Sequence, residues 1–158
     1  MSGRLRHGFI IALFAAALAQ AADDPSTSPR DAPRDARLEA ARAAIAKRDW
    51  STAQAVLKEA LAADSANADY HNLYAYAVRN SPNPAMEVVF KHYHEALRLD
   101  PRHRGAHEYL GEAYLMVGNV EKAREHLKAL DRLCFFGCKE YSDLKKAIEE
   151  HERRQAKR

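Results

Sequence analysis

The sequence predicts an all-α protein, a short right-handed solenoid of about three helical hairpins closed by a C-terminal capping helix. Three observations predict it. One pattern of small and large apolar residues recurs at an interval of about 34 residues, the length of a two-helix unit. Within each copy the apolar residues return every three or four positions, the period of a helix face. Glycine, asparagine and proline fall between the periodic stretches, as in Gly118-Asn119, Asp100-Pro101 and the run NSPNPA from Asn80 to Ala85, where they end helices.

The chain has 158 residues with a net charge of +3, about one domain of material. It opens with Arg4, Arg6 and His7, an apolar run from Phe9 to Ala19, and Ala19-Gln20-Ala21. That order is expected of a bacterial export signal, residues 1–21, cleaved after Ala21. The run is shorter than the roughly 20 residues a membrane-spanning helix needs, and no cysteine follows to carry a lipid. The expected product is periplasmic or secreted, with no stable membrane anchor after cleavage. Removing Arg4 and Arg6 lowers the net charge from +3 to +1, which leaves no footprint for nucleic acid. Residues 22–36 mix prolines and charges with no large apolar side chain, so they are expected to be a disordered linker.

The clearest repeat is AHEYLGEAYLMVGNVEKAREHLKAL, Ala106 to Leu130. Gly111 and Ala123 are small, which is expected to let the two helices of this hairpin approach closely. Leu110, Tyr114 and Leu127 fill the space beside them. Gly118-Asn119 makes the turn. Upstream, Ala96, Leu97, Leu99 and Asp100-Pro101 end one unit and open the next; Trp50, Ala53, Leu57, Ala60, Leu61 and Asp64-Ser65 repeat the same ending.

The spacing L-G-x2-Y, turn, A-x3-large apolar resembles the tetratricopeptide repeat. The resemblance implies three units within residues 37–133, at about 34–67, 68–103 and 104–133. The first helix of the first unit, Arg37 to Arg48, carries alanine where the family usually has larger residues. The second unit has a six-residue connection with two prolines, an insertion expected to shift its second helix against its first. Residues 134–158 are expected to form a cysteine loop, a capping helix with Tyr141, Leu144, Ala147, Ile148 and His151 on one face, and a basic tail.

Cys134 and Cys138, the only cysteines, bracket Phe135, Phe136 and Gly137. In an oxidising compartment a disulfide between them would pin the cap, and the phenylalanines are expected to bury against the end of the array. Buried free thiols, a soft metal site and a redox-active pair are the alternatives. Metal lacks a second cysteine pair or an adjacent histidine, and redox chemistry lacks the CxxC spacing.

Of the 8 histidines, His94-Glu95 and His107-Glu108 begin like HExxH, but Arg98 and Gly111 occupy the fifth positions. His92 with His94, and His103 with His107, make no convincing pair. No phosphate loop or nucleophile motif is present. No enzyme, catalytic residue, metal or cofactor is expected, and no feature specifies an oligomeric state.

The resemblance implies a concave groove lined by the first helix of each unit, binding a segment of a protein or peptide partner in the cell envelope. Carried onto this sequence, the groove residues are Arg42, with Leu38 and Glu39 beside it, His71, Asn72, Arg79, Glu108, Tyr109 and Glu112. Family members that clamp a C-terminal carboxylate use several lysine, arginine and asparagine positions, of which only Asn72 matches. That clamp is not expected. The proline-rich rim, Asn80 to Pro84, is a further candidate contact. The expected function is a non-catalytic scaffold or assembly factor. The alternative is periplasmic copper or zinc handling through Cys134, Cys138 and histidines.

Overall fold

The structure, a computed structural model, describes residues 35–157. The expected export signal and nearly all of the expected linker lie outside the described residues. Seven helices follow in order: α1 (Ala36–Ala46), α2 (Trp50–Ala63), α3 (Ala68–Arg79), α4 (Met86–Leu99), α5 (Arg104–Met116), α6 (Val120–Leu133) and α7 (Lys139–Gln155). Among the described residues there is no strand, and no helix is long and apolar enough to cross a membrane. The all-α class and the hairpin repeat are as the sequence predicts.

Local chemistry marks the helix starts. Asp35, Asp49, Asn67, His103 and Asn119 each accept an N–H from the first turn of the helix that follows, satisfying donors that have no partner inside the helix. Asp35 and Ala36, which the sequence reading left in the linker, are thus the cap and first residue of α1. The Asp35 carboxylate also accepts from the Tyr70 hydroxyl of α3.

Two three-residue turns close the first and third hairpins on the same plan. Gly118 takes φ of +76° in one, and Arg48 takes φ of 56° at the equivalent place in the other. The second hairpin turns through Asn80–Ala85 instead, and Ala85, at the N-cap of α4, supplies no side-chain cap. Asn80 and Ser81 return hydrogen bonds to the carbonyls of Tyr76 and Val78, so the longer connection ends α3 cleanly. The two helices still pack along their lengths.

Alanines at Ala41, Ala44, Ala53 and Ala60 are buried between α1, α2 and α3. Ala75, Val78, Val89, Tyr93, Leu110 and Ala113 join α3, α4 and α5; Leu115, Ala123, Leu130, Leu144 and Ile148 join α5, α6 and α7. Each hairpin therefore buries its apolar faces partly within itself and partly on its neighbour.

Gly111 serves a different contact from the one expected. A Cβ there would lie 2.6 and 2.7 Å from the δ carbons of Leu144. The glycine thus admits the capping helix α7 rather than closing its own hairpin.

The cysteine loop also differs. Cys134 ends α6 and Cys138 caps α7; their sulfurs stand at disulfide distance, 2.06 Å, with Cα atoms 5.5 Å apart. The Gly137 N–H donates to the Cys134 carbonyl at 2.9 Å, and Gly137 takes φ of +82°. This tight turn faces the sulfurs inward and the intervening side chains outward. Phe135 and Phe136, expected to bury, are 88% and 96% exposed and stack edge to face on one another, centroids 5.1 Å apart.

Candidate functional site

The first helices of successive hairpins touch one another, α1 with α3, α3 with α5 and α5 with α7, whereas no contact joins α2 to α4 or α4 to α6. Helices that approach each other lie on the inside of a curved stack. Their layer is the inner face.

An open cleft of about 650 Å³ lies on it, lined by residues that include Arg42 of α1, Asp69 of α3, Arg104 of α5 and Glu140 of α7, with Arg102 and His103 from the α4–α5 connection. His103 is fixed on both sides. Its Nδ1 accepts the Ala106 N–H at 3.1 Å, and its Nε2 donates to Asp69 at 3.2 Å. That bond, more than any charge, holds the Asp69 carboxyl below the usual carboxylate range. Arg104 lies 3.6 Å from Glu140, and Arg42 lies 3.3 Å from Glu39 on its own helix, both arginines half exposed. Such pairs are weak in water, so these guanidinium groups are free to exchange partners.

Further along the inner face Arg79 is held rigidly. It pairs with Glu112 at 2.6 Å, with its side chain only 9% exposed, and lies over the rings of Tyr76 and Tyr109 at 5.5 and 5.7 Å. Burial raises Tyr109 to about 12 and Tyr93 still further. Arg79 Nε and Tyr93 Oη are buried side-chain atoms without a hydrogen-bond partner. A smaller cleft, about 240 Å³, adds Glu150, His151 and Arg154 of α7 to Arg79 and Glu112. Glu108, one turn back on α5, is 6% exposed. Burial, then the charges of Glu112 and Asp143, raises its carboxyl to about 7.

The expected groove residues are therefore divided. Arg42 opens on the larger cleft; Arg79 and Glu112 open on the smaller, with Tyr109 stacked beside them. Asn72 is 4% exposed and sits against Gly105 of α5, sealed between helices with its Oδ1 unpartnered. Glu108 is likewise covered. His71 turns away from the inner layer, its Nδ1 2.8 Å from Nδ1 of His92 on α4.

Sequence reasoning missed that contact and its counterpart, His107 Nδ1 to His126 Nδ1 at 3.0 Å. It sought pairs within single helices. The available signal was the repeat itself: His71 and His107 are 36 apart and His92 and His126 are 34 apart, so both pairs occupy equivalent places in successive units. Cys134 and Cys138 are paired with one another, with no free cysteine among the described residues.

Stacked helical hairpins with a polar, charge-lined inner face define a repeat protein of the interaction class. The chain matches the family model of the tetratricopeptide repeat over residues 38–85 and 91–134, and it belongs to that family. It is 32% identical over 108 residues to a TPR repeat-containing thioredoxin of Arabidopsis thaliana, a match covering 66% of this chain and 15% of that protein. An inactive TPR repeat-containing thioredoxin of the same plant is 40% identical over 63 residues, 38% of this chain and 8% of that protein. The matches thus span a small part of these relatives' length. The repeats mark a protein–protein interaction module, and the family is typically non-catalytic.

Proposed function

We propose that this chain is an exported scaffold or assembly factor of the cell envelope, which holds a segment of a partner protein along its inner face. One observation carries the reading: all four inner helices contribute side chains to a single open cleft, through Arg42, Asp69, Arg104 and Glu140. Residues from four separate helices converge without burying one another, as a surface for an extended segment requires. Exchangeable guanidinium groups alternate with carboxylates there, so the partner segment carries charges of both signs. The leader at residues 1–21 supports the envelope as the place of work.

The test replaces Arg42 with a photocrosslinking residue in cells expressing the full chain, followed by identification of crosslinked proteins in the periplasmic fraction. A specific partner whose capture is lost in an Arg104→Glu background supports the groove. Capture that survives Arg104→Glu but disappears with Phe135→Ser/Phe136→Ser moves the contact to the cysteine loop and overturns it. The export reading is checked separately by the mass of the mature chain, expected to begin at Ala22.

A further inference from the structure

The two histidine pairs repeat one arrangement. His71 and His107 are each the fourth residue of their helix, α3 or α5; His92 and His126 are each the seventh of α4 or α6. In both, Nε2 of the first histidine lies near a main-chain carbonyl six residues earlier, 3.0 Å from Ser65 O and 3.1 Å from Pro101 O. A carbonyl only accepts, so that Nε2 bears the proton and Nδ1 bears the lone pair. The facing Nδ1 of the second ring stands 2.8 or 3.0 Å away and, with both rings neutral, must donate.

An imidazole whose far N–H is held by a backbone carbonyl, with its other lone pair presented to a second imidazole, is oriented as metal-ligating histidines are.

We propose that each pair, His71 with His92 and His107 with His126, is a seat for a late first-row divalent metal ion, bound through the two Nδ1 atoms. The inference stands apart from the partner-binding reading. The Nδ1 separations are those of a hydrogen bond, so the choice of ion follows ligand affinity: for imidazole donors Cu(II) leads, with Ni(II) and Zn(II) behind it.

The rings now meet with centroids 5.0 and 5.3 Å apart, and the ion enters beside the line between nitrogens as the second ring swings. The proton on Nδ1 of that ring moves to its own Nε2, so a neutral pair binds without net proton release. Beside the first pair a cavity of about 280 Å³, lined by Ser65, His71, Lys91, His92 and Glu95, gives room for water ligands. Among the described residues no three His, Cys, Asp or Glu side chains form a group that could hold a metal ion, so the proposal requires water as the remaining ligands.

Calorimetric titration of the full chain with CuCl2 at neutral pH tests this. The number of ions bound is expected to fall by one in His92→Ala and by two in His92→Ala/His126→Ala, and to stay constant in His94→Ala. Binding heats independent of the buffer's ionisation enthalpy are expected, since no proton is released. An unchanged count in the double variant, or a count that falls in His94→Ala, overturns the proposal. NMR of the unsubstituted chain guards against misfolded variants: Ni(II) is expected to broaden the ring signals of His71, His92, His107 and His126. Broadening confined to other residues overturns the proposal equally.

Discussion

Gly111→Ala isolates the contact that ties the capping helix to the repeats. The new methyl would sit 2.6 and 2.7 Å from the Leu144 δ carbons and 3.3 Å from its Cγ, against a normal carbon–carbon separation of about 3.5–4.0 Å. Leu144 is fully buried, and because its Cγ is also crowded, a change of rotamer does not relieve the overlap. Helix α7 must retreat by most of an ångström. Alanine in a helix interior is favoured over glycine by about 1 kcal/mol, whereas overpacking a close contact costs about 1–3 kcal/mol. The expected net loss is about 1 kcal/mol, and Gly111→Leu should lose well over that. Leu144→Ala alone should cost about 2–5 kcal/mol by leaving a cavity. In the double variant the added methyl partly fills that cavity, so the combined loss should be smaller than the sum of the two by at least about 1 kcal/mol. Urea unfolding followed by circular dichroism measures all four proteins. A Gly111→Ala protein as stable as the parent, or losses that simply add, would refute the contact.

Cys134→Ser is expected to lower stability by about 2 kcal/mol on the loop-entropy account while leaving the helices intact; identical melting without reductant would sink the staple. Arg48 holds the left-handed conformation that Gly118 holds in the third hairpin. Arg48→Gly should therefore gain about 0.5–1 kcal/mol by relieving backbone strain, and a loss in thermal unfolding would count against it. Glu108 holds its proton up to about 7 when folded, against 4.5 as its ordinary value. The folded state thus binds more protons, and its contribution to stability is complete below pH 4.5 and lost as pH rises through 7. Glu108→Gln removes that loss, so the variant should overtake the parent by ~2 kcal/mol at pH 8, after discounting for water near the carboxylate. Equal pH profiles of denaturant midpoints would show the carboxylate to be well solvated.

The helices and hairpins were legible because their signals are local or periodic: cap residues at Asp49, Asn67 and Asn119, a turn glycine at 118, and apolar residues returning with the helix. What each inner-helix residue faces depends on three helices at once, and spacing along one of them cannot settle it. Hence His71 and Glu108, placed in the groove from sequence, turn to α4 or are covered, while Arg42, Arg79 and Glu112 line clefts. Phe135 and Phe136 misled for a related reason. Their apolarity argued for burial, but the five-residue ring between the cysteines fixes which way the backbone points them. Gly111 is small for a close helix contact, as its place in the repeat implies, but the helix it admits is α7 rather than α6.

The connection between α3 and α4 has a further consequence for assembly of the chain. Tandem hairpins of similar sequence present nearly interchangeable faces, so a folding chain can dock a hairpin out of order or exchange one with a neighbouring molecule. Here the first and third hairpins turn through three residues and the second through six, Asn80 to Ala85. Unequal lengths break the internal symmetry. A misplaced second hairpin would bring α4 to its neighbour offset from α3 and leave Tyr93 without the Leu110 and Ala113 surface it fills. The odd turn thereby labels the middle of the array, and the order of the hairpins is enforced by geometry as well as by their position along the chain.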